Sequence, residues 1–397
     1  MGNSIDQIFV VLKHWIVGLC SPAIQPFASI LLSIVPILTV FSLLFAITTI
    51  LERKGLGRIQ NRFGPNRVGP FGFFQPIADG LKMLIKEDIV PRSADRAVHF
   101  LAPFVLIGPV FLAFSVLPFG RNMAALDLDA GLLFFFAIGA GSEVSVFMAG
   151  WSSRNKYSLL GAMRAIAQMV SYEVPLILSS VTVVMLAGSL SLVTIVEAQS
   201  EYVAGFPQWF VFTPWGLAGF VLFMIAAAAE ANRTPFDIPE AESEIIAGYL
   251  VEYSGFKFAL FFWGEYLGLF AISSLGITLF LGGWHAPFSF LEWIPSYLWF
   301  FAKLFAFIFV FIWMRGTLPR LRMDQLMGFA WRFMLPMTLL NILVAATWHF
   351  SSVWQFPAAY VCRWLMCFGI LVIAYMRLGG LLAGDKPKGK RVYRFAD

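Results

Sequence analysis

"ASILLSIVPILTVFSLLFAITTIL", residues 28–51, runs for 24 positions without a charged side chain, and "GRIQNRFGPNRVGPFGFFQP", residues 57–76, follows it almost at once. An apolar run of about 20 residues crosses a hydrocarbon layer of about 30 Å when it is helical. Helix is the form it takes there, because hydrocarbon offers backbone N–H and C=O groups no other partner. The second stretch is the opposite in character: twenty residues hold three Arg, four aromatic residues and seven Gly or Pro. Pro and Gly at that density fix backbone turns instead of loosening them. A membrane span is therefore followed by a basic, aromatic segment of fixed turns, and the rest of the chain is read outward from that junction.

The 397 residues are 59% hydrophobic and only 13% charged, with a mean hydropathy of +0.79. Soluble domains carry about 25% charged residues, so a soluble fold is excluded. Further apolar runs lie near 93–118, 128–151, 158–187, 210–230, 257–283, 297–315, 328–348 and 357–378. The expected fold is thus an all-α polytopic membrane protein of about nine transmembrane helices with short amphipathic cytoplasmic helices. Nine crossings place the chain ends on opposite sides. Loops 52–92, 152–157, 231–256 and 316–327, the tail after 378 and the adjoining helix ends collect 23 of the 28 Lys and Arg. The Lys/Arg-rich side is the cytoplasm or its topological equivalent, the mitochondrial matrix. That orientation leaves the N-terminus non-cytoplasmic and puts the basic tail "KPKGKRVYRF" (386–395) in the cytoplasm against anionic lipid headgroups. The net charge of +5 follows from this asymmetry and is not read as nucleic-acid binding. Three scattered Cys and four scattered His form no CxxC or HExxH spacing, so no metal, haem, iron–sulfur cluster or disulfide is expected on this chain. No removable signal peptide is expected either.

Polar chemistry interrupts the apolar pattern in four places. In the segment 52–91, Ile77, Leu81, Leu84 and Ile85 recur at helical spacing while Asp79, Lys82 and Lys86 share the other face, which predicts a short interfacial helix. Gly64 and Gly69 have phosphate-loop spacing, but Pro70 and Phe71 stand where Lys and Ser/Thr are needed. Nucleotide binding is rejected there. A plain positive-inside loop is one reading of the segment; a rim that admits an amphiphile with a polar head and a greasy tail is the other. The second place is "AEANRTPFDIPEAESEIIAGYLVEYSG" (229–255), with Glu230, Asp237, Glu240, Glu242, Glu244 and Glu252 around one Arg233. A capped amphipathic helix explains part of it; crowded carboxylates that raise one another's proton affinity are the alternative.

The third is the set of ionisable groups inside spans, Glu143, Arg164, Glu173, Glu265 and Lys303. Each costs about 2.5 to 3.5 kcal/mol at the bilayer centre on insertion scales, and such groups usually face a protein interior or a water-filled path. A buried ion pair, for instance of Glu with Arg164, accounts for any one of them; for the whole set a proton or ion route is the better reading. The fourth, "RGTLPRLRMDQLM" (315–327), reads only as a topology signal.

"ERKGLGRIQNRFGPNRVGPFGFFQPIADGLKMLIKE", "GWSSRNKYSLLGAMRAIAQMVSYEVPL", "EANRTPFDIPEAESEIIAGYLVEYSGFKFALFFWGEYLG" and "RGTLPRLRMDQLMGFAWRFMLPMTLLN" together resemble the quinone-chamber membrane subunit of respiratory complex I. The resemblance covers about residues 28–348 and extends to the bacterial and the mitochondrial members of that family. It implies a protein with no redox centre of its own, in a bacterial inner membrane, with quinone as substrate and with FMN and iron–sulfur clusters in partner subunits. Peripheral-arm subunits that flank the chamber and adjacent small membrane subunits are the implied partners, with membrane lipids. Carried over, Glu52, Arg53, Arg58, Arg62, Phe71, Asp79, Arg233 and Asp237 belong to the chamber. Glu173, Glu230, Glu240, Glu242, Glu244, Glu252, Glu265 and Lys303 belong to proton coupling. Glu143 joins them as an added proton site or an ion-pair partner, because the resemblance leads one to expect an apolar residue there.

The implied division is an N-terminal segment 1–27, an eight-span core 28–348 with the access loop 52–92 and the acidic loop 231–256, and a ninth span with the basic tail, 349–397. The related subunit of a membrane-bound hydrogenase, or a stand-alone ion or proton transporter, are the alternatives. A transporter should show paired internal repeats with broken helices, and none is found.

Overall fold

A computed structural model of the chain describes residues 6–203, 205–238, 246–351 and 359–383. Twelve helices dominate the described residues. In chain order they are α1 (Ile8–Gly18), α2 (Gln25–Ile59), α3 (Gln75–Ile85), α4 (Arg96–Phe114), α5 (Gly131–Ser152), α6 (Lys156–Ala187), α7 (Leu192–Glu197), α8 (Pro214–Glu230), α9 (Gly255–Phe280), α10 (Ser296–Thr317), α11 (Met323–Phe350) and α12 (Ala359–Ala383). The strands among the described residues are a two-residue pair, Tyr202–Val203 with Phe206–Pro207.

Eight of these helices are long and apolar enough to cross a membrane: α2, α4, α5, α6, α9, α10, α11 and α12. Each coincides with an expected span. The remaining expected span, 210–230, is shorter than read. Phe210–Phe212 forms a single 3₁₀ turn and the helix starts at Pro214, behind Thr213, whose side chain accepts the Gly216 N–H. Its 17 residues extend about 26 Å at 1.5 Å per residue, close to the lower limit for a crossing.

The bundle is built around α9 and α6. In the most apolar part of α9, 61% of residues are buried, against 11% in α2, so α9 is a central helix and α2 a rim helix. α6 packs on α5, α8 and α11, while α9 packs on α4 and α10. Rings fill the seams: Phe41 of α2 stacks on Phe114 of α4 at 3.9 Å, and Phe223 and Phe280 meet at 5.7 Å. α11 carries a π turn at Ala330–Met334, on which α12 rests through a Tyr375–Phe333 ring contact at 5.9 Å. α3 is the expected short amphipathic helix, and its Ile77, Leu81, Leu84 and Ile85 are all exposed.

Candidate functional site

The last turn of α2 and the loop after it are locked together by the absence of side chains. A Cβ on Gly57 would meet Gly64 N at 2.9 Å, and one on Gly64 would meet Lys54 Cα at 2.9 Å. The loop thus folds flat onto the helix end. Lys54 Nζ donates to Phe71 O, pinning Phe71 at a φ of 52° with its ring 79% exposed. Arg53 Nη1 donates to Asp79 Oδ2 at 2.5 Å, and Gln75 Nε2 to Asp79 Oδ1 at 3.0 Å, so α3 is tethered to α2. Such a partly exposed pair adds little stability; its effect is placement. Arg62 Nε donates to Gln60 Oε1 at 2.7 Å, and Arg58 is exposed nearby. The access loop therefore carries Arg53, Arg58, Arg62, Phe71 and Asp79 on one rim.

One residue inward, Glu52 is 6% exposed and is the point where four segments meet. Tyr266 of α9 donates its hydroxyl to Glu52 Oε2 at 2.5 Å. Arg233, just past the end of α8, donates to Glu52 Oε1 at 3.4 Å. Arg315, in the last turn of α10, pairs with the same oxygen. The Arg233 guanidinium also lies over the Tyr266 ring at 4.1 Å. Burial opposes its charge, but Tyr266 and Glu52 hold it firmly protonated. Asp237 continues this line outward, accepting from Arg320 Nη2 at 2.9 Å. Burial pushes the Asp237 carboxyl up while Arg320, Arg315 and Arg233 pull it down, and burial prevails. The Leu321 N–H donates to Pro235 O at 3.1 Å, so 231–238 and the α10–α11 connector form one layer.

Behind that layer lies the carboxylate group of the interior. A cavity of about 90 Å³ is lined by Glu230, Glu265, Tyr249, Asn232, Ser142 and Met169 among others. Tyr249 donates its hydroxyl to Glu265 Oε1 at 2.6 Å. Glu143 of α5 and Glu173 of α6 lie within hydrogen-bonding reach of each other, and both are close enough to act on the charge of Glu230. One Glu230 oxygen is buried without a hydrogen-bond partner among the described residues. Gln168 holds the α8 end against α6: its Nε2 donates to Ala229 O and to Phe236 O, both at 2.7 Å.

Thus Glu143, Glu173, Glu230 and Glu265 come together, as do Glu52, Arg233 and Asp237. Glu252 sits apart, accepting from Asn155 Nδ2 at 2.7 Å. Lys303 is not brought to the carboxylates. Its Nζ donates to Leu281, Gly283 and His285 carbonyls at 2.6, 2.9 and 2.7 Å and lies 4.0 Å over the Trp209 ring. There it ties down the turn after α9, since Leu281, Gly283 and His285 all lie past Phe280, the last residue of that helix. Glu240, Glu242 and Glu244 lie outside the described residues. Sequence reasoning missed Tyr266, Tyr249, Gln168, Arg315 and Arg320. The two Arg were visible only as topology signals, and the three polar residues within or beside apolar stretches carried no signal of their own.

Residues 32–346 match the family model described as NADH dehydrogenase. The H subunit of NADH-quinone oxidoreductase from Geobacillus kaustophilus (strain HTA426) is 51% identical over 303 residues, 75% of this chain and 88% of that protein. The same subunit from Dehalococcoides mccartyi (strain CBDB1) is 51% identical over 296 residues, covering 75% and 80%. That from Bacillus cytotoxicus is 47% identical over 313 residues, covering 78% and 91%. α12 lies beyond the residues matched by the family model.

Proposed function

The chain belongs to the H-subunit family of NADH-quinone oxidoreductase, a membrane component of complex I, and from that premise we propose that it walls part of the chamber where quinone is reduced. In this reading it also passes the charge of that reaction to carboxylates deeper in the bundle. The observation that carries the proposal is the Glu52 junction. One buried carboxylate joins the access-loop helix, Arg233 at the mouth of the 231–238 segment, Arg315 and α9, and α9 also bears Glu265.

Quinone reduction takes up two electrons and two protons, so negative charge appears transiently in the chamber. At an effective dielectric of about 20, a unit charge about 8 Å away changes the energy of a carboxylate by about 2 kcal/mol. The exposed rim of Arg58, Arg62 and Phe71 suits an amphiphile with a polar head and a greasy tail. Arg233, paired with Glu52 and within electrostatic reach of Glu265, is the natural relay for such a charge. Beyond it, Glu143 and Glu173 lie within hydrogen-bonding reach of each other and close to Glu230, so a proton gained or lost at the pair changes the energy of Glu230. The coupling is electrostatic and conformational, with Glu173 and Glu265 as the membrane carboxylates.

The same reading supplies the setting. The chain sits in a bacterial inner membrane with its basic tail cytoplasmic and its N-terminus outside. FMN and iron–sulfur clusters reside in partner subunits of the peripheral arm, so isolated protein has no oxidoreductase activity. The Lys/Arg asymmetry and the basic rim at the same end as Glu52 support this orientation.

The test uses the assembled complex. Substituting Arg53 or Arg62 by Ala should lower NADH:quinone activity severalfold while NADH oxidation by an artificial acceptor stays at the wild-type level. Wild-type quinone activity in both variants, or migration of the chain as a free homo-oligomer in mild detergent, would overturn the proposal.

A further inference from the structure

The end of the bundle away from Glu52 holds polar space that the function above does not use. Two adjoining cavities, of about 620 and 340 Å³, share Arg121, Trp284 and His285 in their walls. Both volumes fall in the range of small-molecule sites. They open among the loops that join α4 to α5, α6 to α8 and α9 to α10.

The backbone around Arg121 is fixed. Its N–H donates to Ser296 Oγ at 3.1 Å, its carbonyl accepts from Gln7 Nε2 at 3.1 Å, and Asp6 Oδ1 accepts from both Ser296 N and Ser296 Oγ at 2.6 Å. Its guanidinium, in contrast, makes no hydrogen bond or ion pair among the described residues. Trp284 is 4% exposed, and its Nε1 has no partner among the described residues; Nε1 of Trp299, in the wall of the smaller cavity, is in the same state. Such buried donors lose about 1–3 kcal/mol each unless something accepts from them. Across the larger cavity stand Glu197, whose carboxylate is likewise unpaired among the described residues, and Asp127, which accepts from Ser191 Oγ at 3.0 Å.

This is a site of mixed sign. A bare anion would match Arg121 and the indole N–H groups but face Glu197 and Asp127; a bare cation would match the carboxylates and leave Arg121 unanswered. A zwitterion answers both. The position, at a membrane end ringed by Trp284, Trp293 and Trp299, is where amphipathic aromatic rings meet lipid headgroups. We propose that these cavities hold the headgroup of a phospholipid bearing a primary amine, phosphate on Arg121 and the indole donors, ammonium on Glu197 and Asp127. A primary ammonium has three N–H donors for those carboxylates; a trimethylated one has none. The site is independent of the quinone reading, being built from the opposite end of the bundle.

The experiment is lipid retention by the purified, detergent-solubilised complex, read by native mass spectrometry after delipidation. Phosphatidylethanolamine, phosphatidylcholine and phosphatidylglycerol are added back in turn, with inorganic phosphate plus free ethanolamine as a fourth arm. Phosphatidylethanolamine should be retained selectively. Arg121→Gln should reduce that retention about tenfold, as expected for losing a charge-assisted hydrogen bond. Glu197→Gln should abolish the preference for the amine over phosphatidylglycerol. Glu197 is exposed, so this variant decides the matter even where Arg121→Gln fails to assemble. Equal retention of the three lipids, unchanged retention in Glu197→Gln, displacement by the free ions, or a side chain from a neighbouring protein of the complex filling the cavity would each overturn the proposal.

Discussion

Replacing Glu52 by Gln removes one unit of charge and almost no volume, which isolates the electrostatic contribution of the junction. Arg233 Nη1 lies 3.4 Å from Glu52 Oε1, and both side chains are about nine-tenths buried. At an effective dielectric of about 20, their gross attraction is about 5 kcal/mol. The amide oxygen still accepts from Tyr266, and relief from burying the Glu52 charge returns part of the loss, so the net effect is about 2–3 kcal/mol. That loosens the segment held by Arg233. Within 231–238, Arg233 N donates to Ala228 O at 3.0 Å and Phe236 N to Arg233 O at 2.8 Å. Local opening should become about 30- to 150-fold more populated, at 1.36 kcal/mol per factor of ten. Hydrogen–deuterium exchange of this segment in the purified complex measures it, together with the Glu52→Gln/Arg233→Gln double variant. Exchange should rise in the single variant and fall short of additivity in the double. Unchanged exchange, or strictly additive effects, would refute the reasoning.

Gln168→Leu removes two hydrogen bonds, to the Ala229 and Phe236 carbonyls, which keep the Asn232 and Ile238 N–H donors, and should destabilise by about 1–3 kcal/mol at about 0.5–1.5 per bond; the thermal dissociation midpoint of the complex reports it. Tyr249→Phe frees Glu265 of its 2.6 Å hydrogen bond and should lower turnover or the proton-to-electron ratio in vesicles while the KM for quinone stays constant. A wild-type ratio and turnover would remove Tyr249 from the coupling route. Burial, aided by Lys303 and Arg121, depresses the proton affinity of His285 from the usual 6.5 to about 4. The unfolded chain therefore takes this proton first, and stability falls as pH drops from about 6.5 towards 4. In His285→Asn the acid slope of the dissociation midpoint should flatten over that interval.

The long apolar runs were legible in the sequence because a hydrocarbon crossing needs length and leaves little tolerance for charge. α8 was overdrawn at its start because Phe210–Phe212 is as apolar as the helix, and only the break before Pro214 marks the boundary. Glu52 was readable as a charge at a span end. Its partner Tyr266 is 214 positions away inside an apolar run, where a tyrosine looks like any large ring. Arg315 and Arg320 were counted for topology because positive charge at a helix end has that bland explanation; their acid partners lie on other segments. Glu143 and Glu173 were noticed as intramembrane acids, yet their mutual contact arises from the packing of α5 on α6, which no spacing along one helix encodes. Lys303 was grouped with the carboxylates because it too is an ionisable residue inside an apolar run. Its partners are carbonyls of the turn that follows α9, invisible to a reading of side chains alone.

Gly57 and Gly64 give the access loop a property that the aromatic and basic residues around it do not have. Where two stretches of main chain touch with only hydrogen atoms between them, the width of the gap is set by backbone and cannot be retuned by exchanging one side chain for another. Even a methyl group at either position would push the loop after α2 away from the helix end and displace the side chains it carries. Side chains along this loop can therefore be exchanged one at a time, whereas the spacing between loop and helix tolerates no gradual change.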